Sequence, residues 1–265
     1  MGRRFAQGAA LWRLMRRLEL IGLEGLGEVR QGDSVGGRIV EACSRQTITL
    51  SNSDVLVVAH KIISKAEGQL LCLGDIQPSA RAVELSRELG KDARVMEVIL
   101  RESRRIIRKG GGTVIVETHH GFICANAGVD SSNVGLGQVA LLPRDPDASA
   151  RKIREEIRQR LGAAPAIVIS DSFGRAWRLG TVDVAVGVAG LRPLKDDRGT
   201  TDRYGYELKA SVAAVADELA GAAELVMGKK GEIPVVVIRG YQRKGEDGSA
   251  QELLRPENED LFRSF

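Results

Sequence analysis

The sequence contains few cysteines, few aromatic residues and no long hydrophobic run. Its three cysteines, Cys43, Cys72 and Cys124, stand far apart and form no C-x-x-C pair, so neither a disulfide framework nor a thiolate zinc site is predicted. This cysteine usage fits the reducing cytoplasm. No apolar run approaches the ~18 residues that a spanning helix needs, so we expect no membrane partner.

Nucleic-acid binding is disfavoured, although the formal net charge of the 265 residues is +4. Five arginines precede the first acidic residue, Glu19, and the rest of the chain is almost neutral. Aromatic residues make up only 4%, which leaves few side chains for stacking bases. We interpret residues 1–17 as a basic peripheral extension and residues 18–265 as the folded unit, with room for two subdomains.

Short apolar runs predict buried strands at Val55–Ala59, Thr113–Glu117, Ala166–Ser170 and Val235–Ile238. We expect these four to form the core of one sheet. Alternating valines between Val182 and Val188 predict a further strand, half-buried and either antiparallel or at an edge.

Helical patterns separate the strands. They run from Pro78 to Leu89 before Gly90, from Asp92 through Ile106 to Gly110, from Asp147 to Leu161 before Gly162, and from Ser211 to Ala220 before Gly221. The interleaving predicts an α/β or mixed α+β class. The polar stretch from Tyr241 to Phe265 is predicted to be peripheral.

No G-x-x-x-x-G-K-[ST] phosphate loop occurs anywhere in the sequence, so a bound nucleotide would be held in another way. The polar segment after Glu117 ends in Asp130-Ser-Ser-Asn133. Asp130 offers a carboxylate suited to Mg²⁺ or Mn²⁺, and Asn133 offers an amide for a base or phosphate. The alternative is an Asx-turn in which both side chains bond their own backbone.

A second acid follows the predicted strand Ala166–Ser170. Asp171 is expected at the carboxyl end of the sheet, where ligands bind in open α/β folds, with the Ser172 hydroxyl alongside. Arg175 and Arg178 are candidates for clamping a carboxylate or phosphate, and the alternative is a solvated surface loop. Lysine-bearing segments at Lys61–Lys65 and Lys229–Lys230 are further candidates for phosphate contacts.

Four strings together carry a resemblance to one family. They are HKIISKAEG from His60, ETHHGFICANAGVDSSN from Glu117, SDSFGRAWRLG from Ser170 and AAELVMGKKGEIPVVVIRG from Ala222. In this order and spacing they resemble the coenzyme F420-0:L-glutamate ligases, from about residue 20 to the end of the chain.

The resemblance implies a cytoplasmic, homodimeric, GTP-dependent enzyme. It would join L-glutamate to the lactyl carboxylate of F420-0 through an acyl phosphate, and then add further glutamate through the γ-carboxyl. It also implies an unusual mixed-sheet α/β fold that is not a P-loop, Rossmann or ATP-grasp fold. Two Mg²⁺ or Mn²⁺ ions are expected, and K⁺ is a candidate additional ion.

The resemblance also implies site residues. Asp130, Asp171 and Ser172 would ligate metal. The implied nucleotide-binding positions are Leu26, Gly27, Glu28, Val29, His60, Lys61, Lys65, Asn133, Met227, Gly228, Lys229, Lys230, Gly231, Glu232, Ile233 and Pro234.

The chain departs from the family at two places. His60 and Lys61 stand where some members carry small hydroxyl residues, and Lys229 stands where some carry an oxygen ligand for the second metal. Because an ammonium group cannot ligate a cation, either Glu232 or Glu67 completes that site or Lys229 supplies part of its charge.

The sequence identifies no general base, and the candidates for that role are Glu117, His119 and His120. Arg175 is a further candidate catalytic residue. Two other functions fit the same residues. One is a γ-glutamyl ligase acting on a folate-like acceptor, and the other is a GTP-binding regulator without turnover.

Overall fold

The computed structural model describes residues 17–242 and 247–262. The interpretation of residues 1–17 as a peripheral extension therefore falls, apart from Arg17, outside the described residues. None of the helices in the described part of the chain combines the length and hydrophobicity that a membrane span requires.

Strands and helices alternate along the described chain. The strands are β1 (Glu19–Gly22), β2 (Val55–Ala59), β3 (Leu70–Cys72), β4 (Ser103–Gly110), β5 (Thr113–Thr118), β6 (Ile123–Ala125), β7 (Gln138–Ala140), β8 (Ala166–Arg175), β9 (Arg178–Ala189), β10 (Lys195–Asp196), β11 (Val212–Ala213) and β12 (Val235–Arg239). The helices are α1 (Val35–Arg45), α2 (His60–Ala66), α3 (Ala80–Leu89), α4 (Ala93–Arg101), α5 (Pro146–Leu161) and α6 (Val215–Met227), with short 3₁₀ turns between them.

A five-stranded sheet forms the main core, in the order β1-β12-β2-β8-β9. The β2/β8 pair is parallel and the other pairs are antiparallel. Strands β2 and β12 are almost wholly Val, Ile and Leu because both faces of the sheet are covered there. Helices α1 and α5 cover one face, where Ile39 and Ile153 pack with Leu56, and α6 covers the other, where Leu219 packs with Val57.

A smaller antiparallel sheet, in the order β4-β5-β6, packs against α3 and α4. Leu85, Met96 and Ile99 from the helices meet Val114 and Val116 from β5 in a separate hydrophobic cluster. The predicted strand at Thr113–Glu117 is therefore confirmed as a strand. Its expected place in one sheet with the other three is wrong, because it pairs with its sequence neighbours instead.

The mixed α/β class is confirmed, and so are several predicted boundaries. Ser79 and Asp92 cap α3 and α4 through side-chain bonds to backbone N–H groups. Gly90 and Gly162 end α3 and α5 in left-handed conformations, at φ +66° and +70°. The strand from Val182 to Val188 is confirmed as part of β9, an antiparallel edge strand. Its predicted half-burial is wrong, because residues 185–189 are buried on both faces of the sheet.

Two helix predictions are wrong in extent. The helix from Asp92 ends at Arg101, and Ile106 lies in β4, where pairing with β5 outweighs the helical spacing of its apolar residues. The predicted helix from Ser211 to Ala220 instead begins at Val215 and continues through Gly221 to Met227. Burial of Ala220, Ala223 and Met227 against the sheet offsets the ~1 kcal/mol that an internal glycine costs.

The C-terminal segment is less peripheral than predicted. Ala250 is fully buried, and Asp147 of α5 accepts bonds from Ser249 Oγ at 2.6 Å and from Ala250 N at 3.2 Å. The same carboxylate accepts from Val188 N at 2.7 Å, which ties this segment to β9. A single buried acid thus fixes three segments, a long-range arrangement that local polarity does not reveal.

Candidate active site

Three chain segments meet at one edge of the five-stranded sheet. The parallel pair β2/β8 ends with Ala59 opposite Ser170, so His60 and Asp171 follow at the same level. The antiparallel strand β12 begins there, and Pro234 O accepts a bond from Ala59 N at 2.9 Å. The loop between α6 and β12 therefore arrives beside the start of α2.

Asp171 faces the buried side chain of His60. His60 is 2% exposed, and its Nε2 lies 3.2 Å from Asp171 Oδ1 without the geometry of a hydrogen bond. Ser64 Oγ, 3.4 Å from the other ring nitrogen, donates to Leu141 O at 2.6 Å. A buried nitrogen without a hydrogen-bonded partner in the described residues is unusual, and here it lies beside a carboxylate at the sheet edge.

Asp130 is bound to the next residue along the chain, Lys61. The ammonium Nζ lies 2.5 Å from Asp130 Oδ2 and donates to Ser132 Oγ at 2.6 Å. Ser132 N donates to Asp130 Oδ1 at 2.8 Å, so the Asx-turn alternative describes part of this loop correctly. Burial opposes ionisation of Asp130, but hydrogen bonds from Lys61 and Ser132 outweigh it and lower its pKa.

The two predicted metal ligands thus contact consecutive residues, His60 and Lys61, in the first turn of α2. The described residues contain no cluster of three or more His, Cys, Asp or Glu side chains arranged to hold a metal. Carboxylate oxygens are donors that suit Mg²⁺ or Mn²⁺, so the chemistry of the pair fits such an ion. An ion at Asp130 would compete with the Lys61 ammonium for the same oxygen.

Ser172 lies on the opposite face of β8 from Asp171. It is the next residue of a strand, and its Oγ donates to Asp183 Oδ1 at 2.6 Å. Ser170 Oγ donates to Asp183 Oδ2 at 2.9 Å, and Lys229 Nζ reaches Ser172 Oγ at 3.3 Å. The expectation that Ser172 lies alongside Asp171 is therefore wrong, because β8 continues as a strand to Arg175 instead of ending at Ser170.

Asp183 is the residue of this edge that the sequence analysis missed. It is 7% exposed, although the alternation of β9 places it among the residues expected to face solvent. A bulge shifts the register between Ile169 and Ser170, where Val186 is the extra residue of β9. The available signal was an acid inside an apolar strand opposite two serines. Glu67 was a candidate ligand of the second metal ion together with Ser172, but its carboxylate accepts a hydrogen bond from Ser149 of α5.

Most of the implied nucleotide-binding positions converge on the same edge. Leu23 N donates to Val235 O at 2.8 Å, which brings the segment Leu26–Val29 next to the start of β12. Lys65 of α2 pairs with Glu28 at 2.6 Å. Lys229 and Lys230 follow the end of α6 and are exposed, whereas Asn133 lies on the loop that carries Asp130.

Three of the candidate catalytic residues lie in different places. Glu117, in β5, is ion-paired with Arg105 at 2.8 Å and lies 3.7 Å from Arg104. His119 is in the turn after β5 and contacts Arg101 O at 2.8 Å through Nε2. Arg175, at the end of β8, donates to Leu179 O at 2.8 Å.

A comparison with protein-family models identifies the family of this chain. A family model described as F420-0:Gamma-glutamyl ligase matches residues 25–240. The chain belongs to the F420-0:gamma-glutamyl ligase family. The resemblance seen in the four sequence strings is thereby confirmed, and the matched region contains every candidate site residue described above.

Curated members of this family cover nearly the whole chain. A protein of Methanothermobacter thermautotrophicus named Coenzyme F420:L-glutamate ligase is 47% identical over 249 residues, 93% of this chain and 99% of its own length. Proteins of the same name from Methanocaldococcus jannaschii and Archaeoglobus fulgidus are 43% and 40% identical, over 94% and 93% of this chain and 98% and 97% of their own lengths.

Proposed function

We propose that the protein is a GTP-dependent ligase that joins L-glutamate to the lactyl carboxylate of F420-0 in coenzyme F420 biosynthesis. Family membership supports the acceptor and the amino acid. The observation that carries the chemistry is that Asp130 and Asp171 contact consecutive residues, Lys61 and His60, at one end of the sheet. Lys229 reaches Ser172 on the other face of β8 at the same end. Further glutamate would be added through the γ-carboxyl, and the active form would be a homodimer.

The reaction needs activation because a carboxylate is a poor acyl donor. A carboxylate oxygen of F420-0 attacks the γ-phosphorus of GTP, a P–O bond to GDP breaks, and an acyl phosphate forms. The glutamate amine, after losing a proton, attacks the acyl carbon, a C–N bond forms, and inorganic phosphate leaves with the C–O electron pair.

The main electrostatic barrier is the approach of two anions. Two unit charges 4 Å apart repel by about 4 kcal/mol at an effective dielectric near 20. Lys61 and Lys229 come from two segments of this edge and present ammonium groups there. Such fixed cations are available to offset the repulsion and the charge that develops during phosphoryl transfer.

Asp130 and Asp171 are the side chains that would hold a divalent ion, and Asp183 lies beside Ser172 on the other face of β8. When bound, Mg²⁺ or Mn²⁺ supplies positive charge that polarises phosphate oxygens. The residues implied to bind nucleotide, from Leu26–Val29 and from Met227–Pro234, lie on the β12 side of these acids.

The direct test is mass spectrometry of F420-0 incubated with the protein, GTP, Mn²⁺ and L-glutamate. We expect product one glutamate residue heavier, together with GDP and phosphate, and no product when GTP is omitted. Absence of a glutamyl product with GTP present would refute the proposed reaction. A product formed only with a folate-like acceptor, or GTP binding without phosphate release, would support the other functions considered above.

A further inference from the structure

A cavity of about 220 Å³ lies between the turn that joins β5 to β6 and the C-terminal segment. Gly121 and Ile123 line it from the turn and β6, and Leu254, Arg255 and Phe262 line it from the C-terminal side. None of the functional positions implied by the family resemblance is among these residues. The family resemblance therefore assigns no ligand to this cavity.

The cavity lies on the Asp171 face of β8. Phe173 is two residues beyond Asp171 and so points to the same face. Its ring meets Phe122 edge-on, with centroids 6.4 Å apart, and Phe122 is the residue between Gly121 and Ile123. Leu254, which lines the cavity, packs on the same hydrophobic cluster as Phe122 and Phe173. The cavity therefore lies on the same face of β8 as Asp171, next to the hydrophobic cluster that contains Phe173.

One segment implied to bind nucleotide lies on another side of β8, whereas His60 contacts Asp171 from α2. Lys229 contacts Ser172, on the opposite face of β8, and the Met227–Pro234 loop leads into β12. A ligand in the cavity and a nucleotide at the α2 and β12 side would thus approach Asp171 from different directions. This arrangement keeps two anionic substrates apart except at their reacting ends.

One aromatic ring, Phe262, and two opposite charges, Arg255 and Asp260, line the cavity. Phe262 packs against Trp177 at the tip of the β8/β9 hairpin, with ring centroids 4.7 Å apart. Both rings are largely exposed, Trp177 at 82% and Phe262 at 54%. Arg255 is exposed and makes no ion pair within the described residues, whereas the one acid of the lining, Asp260, already has a partner.

These walls favour a planar ligand with negative charge. Exposed aromatic rings offer stacking surface for a flat ring system, and an unpaired guanidinium binds phosphate or carboxylate. Arg175 and Arg178 on the same hairpin add positive charge nearby. Among the substrates of the proposed reaction, F420-0 combines a flat flavin-like ring with anionic groups, whereas L-glutamate has no ring.

We propose that this cavity is the acceptor site, in which the aromatic pair Trp177 and Phe262 holds the ring of F420-0 and Arg255 binds its anionic portion. The lactyl carboxylate then extends along β8 toward Asp171. From Asp171 to Arg175 the strand rises about 13 Å, so an elongated acceptor lying along the hairpin spans the distance. The assignment rests on the proposed ligase function.

The test is steady-state kinetics of two variants, Arg255→Met and Phe262→Ala, with F420-0, GTP and L-glutamate varied in turn. We expect the KM for F420-0 to rise about tenfold in each, with kcat and the KM values for GTP and glutamate within about twofold of the wild type. Arg255→Lys, which keeps the charge, should recover part of the loss. Both positions are exposed, so thermal unfolding should be unchanged.

Matched controls are Arg87→Met on α3 and Leu225→Ala on α6, both exposed and outside the cavity, and neither should change any KM. An unchanged KM for F420-0 in the two cavity variants, or a rise confined to glutamate, would overturn the acceptor assignment while leaving the ligase function intact. If the wild-type protein forms no glutamyl product, the ligase function fails first and the acceptor site fails with it.

Discussion

The acidic side chains of the two main sheets have different neighbours. In the three-stranded sheet, Glu117 lies between the guanidinium groups of Arg104 and Arg105, and Arg105 also pairs with Glu257. In the five-stranded sheet, Asp171 faces an imidazole and Asp183 accepts bonds from two serine hydroxyls. The first acid is already neutralised by cations. Neither Asp171 nor Asp183 forms an ion pair with an arginine or lysine within the described residues.

This difference separates acids that stabilise the fold from acids that are able to attract a ligand. Both sets follow or lie within strands, and both are largely buried. Their residue types alone do not distinguish them. The positions of Arg104 and Arg105 on β4, directly opposite β5, decide the outcome for Glu117.

The substitution Asp171→Asn tests the difference between the two sheets most directly, and we expect it to have the largest effect. Removing this carboxylate, while keeping its shape, should lower the rate of glutamyl-F420 formation by about 100-fold or more, because a charged group at the reacting edge is lost. Rates measured by mass spectrometry at saturating GTP would show this, with circular dichroism confirming the fold. Asp75→Asn, at an exposed position of a 3₁₀ turn, is the matched control. Full activity in Asp171→Asn would contradict the site.

Asp183→Asn tests the buried acid that the sequence did not reveal. The amide keeps one acceptor oxygen but places an NH₂ group against Ser170 or Ser172, so we expect a loss of about 2 kcal/mol in the free energy of unfolding. Urea denaturation with an unchanged m-value would measure it. The exposed variant Asp196→Asn should lose much less stability than Asp183→Asn. Equal stability of the two variants would show that the serine hydroxyls do not depend on Asp183.

The substitution Glu117→Gln tests the acid of the three-stranded sheet. Loss of the charge that Arg104 and Arg105 share should cost about 1 kcal/mol of stability, since the pair is partly exposed. If Glu117 acts only in the fold, glutamyl transfer by the variant stays within about twofold of wild type. A folded variant with strongly reduced kcat would instead support the hypothesis that Glu117 is the general base.

The smallest effect is expected at Asp92, the N-cap of α4 beside the three-stranded sheet. Hydrogen bonds from Arg94 hold the pKa of Asp92 at about 2, below its ordinary value of 3.8. Because the folded pKa is depressed, this stabilisation is present above about pH 4 and is lost as the pH falls toward about 2.

Asp92→Asn keeps a capping side chain but cannot ionise. Thermal unfolding of the wild type and the variant should therefore differ slightly at pH 5 and converge near pH 2. A difference that stays constant over this range would show that the charge of Asp92 does not contribute.

Local patterns predicted the pieces of the fold well where the deciding contacts are close in sequence. The apolar run Val55–Ala59 is a strand with those boundaries, and Gly162 ends α5 as expected. Predictions failed where distant contacts decide. Ile106 fits a helical spacing, but its neighbours pair with β5, and Gly221 lies within a helix because α6 packs along the sheet.

The candidate site shows the same division. Asp171 was found from its position after an apolar run, and Asp130 from a polar segment rich in oxygen donors. Asp183 was missed because α6, a distant segment, covers the face of β9 that carries Asp183 and Ala185, and no local pattern in β9 indicates this. Ser172 was placed on the wrong face because the continuation of β8 depends on pairing with β9 beyond the end of β2.

The sequence by itself determined the α/β class, the family, the helix caps and the aspartates Asp130 and Asp171, because these follow from spacing, turn chemistry and motifs within short stretches of chain. The tertiary structure alone decided that His60 and Lys61 contact those two acids at the start of one helix and that Asp183 accepts hydrogen bonds from Ser170 and Ser172. It also decided that a cavity forms between the β5/β6 turn and the C-terminal segment. The reason is that strand register and the packing of distant segments fix which side chains meet, and neither is encoded by any single stretch of sequence.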